Sequence, residues 1–60
     1  MDFQSIIQYE GKLVKLTLKN NFWYRAKLIS VKEDCVEFVE ERGKKLSVAP
    51  EFIVFLEVLG

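Results

Sequence analysis

Three consecutive aromatic side chains, Phe22, Trp23 and Tyr24, stand directly after an Asn20-Asn21 turn signal, and the cations Arg25 and Lys27 follow at once. Aromatic rings stack on nucleobases whatever the base, and guanidinium and ammonium groups hold phosphates, so this order suits single-stranded nucleic acid. It suits the packed wall of a small β barrel equally, because aromatics are favoured in strands and bury large areas. Strand alternation sets Phe22, Tyr24, Ala26 and Leu28 on one face and Trp23, Arg25, Lys27, Ile29 and Val31 on the other. Phe22 and Tyr24 can then sandwich a base, or pack on a neighbouring helix.

Little other chemistry is on offer. There is no histidine and only one cysteine, Cys35, so neither an intrachain disulfide nor a zinc site of the Cys/His type can be assembled. Cys35 sits among Glu33, Asp34 and Glu37, surroundings unsuited to a nucleophilic thiolate. The carboxylates Glu33, Asp34, Glu37, Glu40 and Glu41 read as a solvated acidic edge, since no loop presents the oxygen count a calcium ion takes. Gly11, Gly43 and Gly60 stand apart, leaving no glycine-rich phosphate loop. The expectation is a protein that is not an enzyme and takes no cofactor, metal or small-molecule substrate.

Positioning the aromatic stretch falls to 60 residues, half of them hydrophobic, read as one domain over residues 1–60. A chain of this size buries only about 60% of the surface its unfolded form exposes, and its core typically supplies about 3–5 kcal/mol. With disulfide and metal excluded, self-association is the expected staple. No apolar run is long enough to cross a membrane, and Asp2 follows Met1 where a signal peptide would carry basic and apolar regions, so a cytoplasmic protein is expected. Net charge is zero, but Gly11 to Lys32 holds six cations and no acid, and Glu33 to Glu41 five carboxylates and no cation. These blocks predict one basic and one acidic surface, or the solvated faces of strands.

Along the chain, Asp2 caps a short helix with Phe3, Ile6 and Ile7 on one face, ended by Gly11. Val14, Leu16 and Leu18 alternate with polar residues in a first strand, and Asn20-Asn21 turns into a long second one whose hydrophobic phase slips near Leu28-Ile29, predicting a bulge. Glu33-Asp34 is the next turn; Val36 and Phe38 mark a third strand; Arg42-Gly43 turns again; Leu46 and Val48 mark a short fourth strand, and Ala49-Pro50-Glu51 breaks it with one stiff turn. The last strand is apolar on both faces except for Glu57. With Val54, Leu56 and Val58 inward, Ile53 and Phe55 point outward, where a neighbouring subunit or the N-terminal helix has to cover them.

This order, a short N-terminal helix and then a five-stranded, strongly bent antiparallel barrel of SH3-like type, resembles the Sm-like family. The stretch Gly11 to Leu28 looks like the first Sm motif in the style of Hfq and the small prokaryotic or viral Sm-like proteins, and Leu46 to Leu59 keeps the short strand, break and apolar strand of the second. The resemblance implies a homo-oligomeric ring of six or seven subunits, closed by pairing the fourth strand of one with the fifth of the next. Leu46, Val48, Ile53 and Phe55 are then the interface candidates. It also implies a single-stranded RNA site on the face around the turn, where Thr17, Asn21, Phe22, Tyr24 and Arg25 match the family's adenine-binding positions, although Thr17 replaces a stacking tyrosine. Asn21, Phe22, Tyr24, Arg25, Lys27 and Lys32 are the RNA candidates.

The loops depart from the family. Lys32 to Cys35 carries no asparagine and no aromatic, and Ala49 to Phe52 places Glu51 where a uridine site wants donors, so the usual pore-side uridine site is expected to be absent. The expected function is a ring that binds single-stranded RNA weakly or on a non-standard face. The alternatives are a ring-forming adaptor without RNA binding and a monomeric SH3-like barrel that docks a protein.

Overall fold

Asp2 does cap the first element. Its Oδ1 accepts the Ser5 N–H at 2.8 Å, and a short helix, α1 (Phe3–Ile6), follows in the computed structural model, which describes residues 1–60. A tighter 3-10 turn, Ile7–Tyr9, continues it, and Gly11 leaves the helical path at φ 84°. Ile6 is fully buried and Phe3 and Tyr9 pack on the core, while Ile7 is exposed. The inward stripe is therefore Phe3, Ile6 and Tyr9 rather than Phe3, Ile6 and Ile7, because tightening to three residues per turn keeps i and i+3 in line.

The hydrogen bond from the Ser5 backbone, followed by that from the Ser5 side chain, holds the Asp2 carboxyl below the usual carboxylate range. A carboxyl lowered in the folded state stabilises above its unfolded pKa, and that contribution is lost as pH falls through the folded value. Thermal melts across the acid range should therefore decline more steeply for the native chain than for Asp2→Asn, which keeps an uncharged cap. Parallel curves for the two proteins would contradict this.

Five strands follow: β1 (Leu13–Leu18), β2 (Trp23–Val31), β3 (Val36–Glu40), β4 (Lys45–Val48) and β5 (Ile53–Val58). They form one antiparallel sheet in the order β4-β3-β2-β1-β5, so the fold is mainly β, as the alternation predicts. The β1–β2 turn places Asn21 at φ 70°, a left-handed conformation that asparagine tolerates, and the Asn21 N–H donates to the Leu18 carbonyl at 2.9 Å. Gly43 takes φ 93° in the β3–β4 turn. Pro50–Phe52 forms the stiff 3-10 turn before β5, and α1 rests on it.

β2 carries the bend. Its first half, Trp23 to Lys27, pairs with β1, and its second, Ala26 to Val31, pairs with β3, with a register shift between Leu28 and Ser30 where the hydrophobic phase slips. One long strand thus serves two halves of a curled sheet. The sheet is not closed: β4 and β5 are its two edges. No helix is long and apolar enough to cross a membrane.

Val14, Leu16, Leu18, Ala26, Leu28, Val31, Val36, Phe38, Ile53 and Leu56 fill the concave side, with Ile6 laid over them. Here β5 departs from simple alternation. Ile53 and Leu56 are buried, whereas Val54, Phe55 and Val58 are exposed. The register against β1 shifts between Thr17, opposite Phe55, and Leu18, opposite Ile53, so Val54 is an extra residue in the ladder. That bulge turns Ile53 inward, into the core of its own protomer, and removes it from the outward apolar face; Phe55 stays outside.

Candidate nucleic-acid interface

The pocket at the start of β2 exists because β2 outruns its neighbour. β3 ends at Glu40, opposite Ala26, and beyond that point the chain turns away after one more hydrogen bond, from the Glu41 N–H to the Arg25 carbonyl at 2.9 Å. Between the freed stretch of β2 and the β3–β4 turn lies a cleft of about 480 Å³, lined by Asn21, Phe22, Trp23 and Tyr24, with Arg25, Glu40, Glu41 and Arg42. The volume falls in the range of small-ligand sites.

Of the six RNA candidates the structure gathers Asn21, Phe22, Tyr24 and Arg25 here. Lys27 lies further along the outward side of β2, opposite Leu13, and Lys32 lies at the other end of the strand, in a tight turn where its N–H donates to the Cys35 carbonyl. The two aromatic candidates differ in kind. Tyr24 is half-buried and packs on Phe38, ring centroids 5.6 Å apart and planes tilted by 47°, so part of it belongs to the core. Phe22 is 60% exposed and is not part of the buried core. Asn20 holds it in place, its Oδ1 accepting the Phe22 N–H at 3.1 Å. Phe22 immediately precedes β2 and Tyr24 is its second residue, so the two rings stand at the start of the strand.

The charge arrangement was only half visible in the sequence. Because β3 pairs with β2, the acidic block folds back along the basic one rather than forming a separate surface. Arg25 Nε stands 3.8 Å from Glu41 Oε2 with both side chains more than half exposed, a solvated pair that contributes little to stability. Glu40 Oε1 accepts the Arg42 N–H at 3.0 Å. The cleft therefore offers two guanidiniums and two carboxylates around an aromatic floor. The roles of Glu40 and Arg42 were missed because only the meeting of the β3–β4 turn with β2 brings them there.

The altered loops also meet. Glu33 and Glu51 line a second cleft with Asp2, Pro50 and Met1, so three carboxylates stand near the N-terminal ammonium, which donates to the Pro50 carbonyl at 3.3 Å. No group of three or more potential ligands is close enough to hold a metal ion. Comparison with family models, curated proteins and solved structures finds no match to this chain.

Proposed function

We propose that this chain is an Sm-like, ring-forming protein that binds single-stranded RNA through the cleft at the start of β2. The observation that carries the reading is the convergence of Asn21, Phe22, Tyr24 and Arg25 on one pocket, with one exposed and one half-buried ring in its lining. Arg25 and Arg42 supply the phosphate contacts. The deciding experiment is a titration of the purified chain with adenine-rich and mixed single-stranded oligonucleotides at several salt concentrations. Binding that weakens with salt and on Tyr24→Ala supports the reading, and no binding at low salt ends it.

Ring formation is supported by the two free edges, β4 and β5, and by the exposed Val54, Phe55 and Val58 along β5. Pairing the edges of successive copies removes them from solvent and covers apolar side chains along β5. Leu46 and Val48, half-buried on β4, sit at the matching edge. Light scattering should give six to seven times the 7.0 kDa chain mass, and Phe55→Asp should return the protein to smaller species without unfolding it. A single-chain mass for the native protein would remove the ring and favour the monomeric barrel. That second reading draws on Ile53, whose burial in its own protomer reduces the apolar surface a neighbour has to cover.

A further inference from the structure

On the outward side of the sheet, β1 and β2 set two cations directly opposite each other: Lys15 faces Arg25 across the ladder. Like charges so placed repel. The row continues to Glu57 of β5 beside Lys15 and to Glu41 beside Arg25, so the acids flank the pair and the cations occupy its centre. The only ion pair formed is the loose 3.8 Å contact of Arg25 with Glu41; Lys15 instead lays its Nζ over the Trp23 ring, 4.8 Å from the centroid. The next row holds Trp23, Thr17 and Phe55, with Trp23 55% and Phe55 57% exposed. Lys27 lies one step beyond Arg25 on the same side. Two opposed cations bordered by solvent-exposed rings match the alternation of phosphate and base in an extended single strand.

We infer that this outward face is a second contact surface for single-stranded nucleic acid, in which Lys15 and Arg25 clamp one phosphodiester and Trp23 stacks a base. The inference rests on the proposed RNA reading and extends it, since Trp23 and Arg25 also line the cleft and join the two surfaces. A bound phosphate relieves the repulsion between the two cations.

Trp23 is the only tryptophan and borders both surfaces, so its fluorescence reports binding at either, and Lys15, which does not line the cleft, separates them. The test titrates the whole chain with a short single-stranded RNA and with inorganic polyphosphate, comparing the native protein with the Lys15→Gln variant, whose changed side chain lies outside both the core and the cleft. The expected result is quenching of Trp23 by RNA. The salt dependence of affinity should fall in the variant by the share of the one lost charge, roughly 2.6-fold less weakening over about a fourfold rise in salt. RNA binding with the same salt dependence in both proteins overturns this surface and leaves the cleft standing. Polyphosphate binding without RNA binding overturns the nucleic-acid assignment of both surfaces.

Discussion

Phe38→Ala should leave the chain largely unfolded at room temperature. Phe38 is the largest of the fully buried side chains and lies at the middle of β3, paired with Leu28 on one side and Leu46 on the other. Truncating a buried phenylalanine costs about 3–5 kcal/mol, through lost transfer energy and the cavity left behind. A core of this size supplies about as much in total. The same ring supports Tyr24, so any molecules that remain folded lose one wall of the cleft. Circular dichroism with urea titration checks the outcome. Phe38→Leu, which keeps most of the volume, should fold with a lower midpoint, and a Phe38→Ala protein as stable as the native chain would show that assembly rather than this core holds the fold. Concentration separates the two causes, because stability borrowed from neighbouring copies rises with protein concentration and stability from the core does not.

Elements fixed by local chemistry were legible in the sequence. Asp2 as a cap, Asn20-Asn21 as a turn, the slip at Leu28-Ile29 and the Pro50 turn each follow from one residue type or one change of phase, and each is present. Features that depend on two distant segments were not. The inward turn of Ile53 comes from a bulge seen only in the pairing of β5 with β1, and an all-apolar strand gives no polar marker of which side faces in. In the same way, four of the site residues could be picked from one short stretch, but Glu40, Glu41 and Arg42 join them only because β3 is shorter than β2. Their carboxylates change the chemistry of the cleft. A pocket of aromatics and cations alone would hold any polyanion, whereas this one sets acids beside the same guanidiniums.

Phe22→Ala is the substitution that separates recognition from stability. Phe22 is 60% exposed and is not part of the buried core, so its removal should leave the melting temperature nearly unchanged. In the proposed site it is one of two stacking walls, and a base stack is worth ~1–3 kcal/mol by alanine substitution. Affinity for single-stranded RNA should therefore fall roughly 5- to 150-fold, with the salt dependence preserved because no charge has been lost. Tyr24→Ala removes the other wall and also strips a contact from Phe38, so it should weaken binding and lower stability together, while Tyr24→Phe should do neither. If Phe22 and Tyr24 hold the same base, the double alanine variant should lose less affinity than the sum of the single losses, since either deletion alone opens the sandwich. Additive losses would place the two rings on different bases. Unchanged affinity on Phe22→Ala, in a protein that does bind RNA, would move recognition away from the cleft altogether.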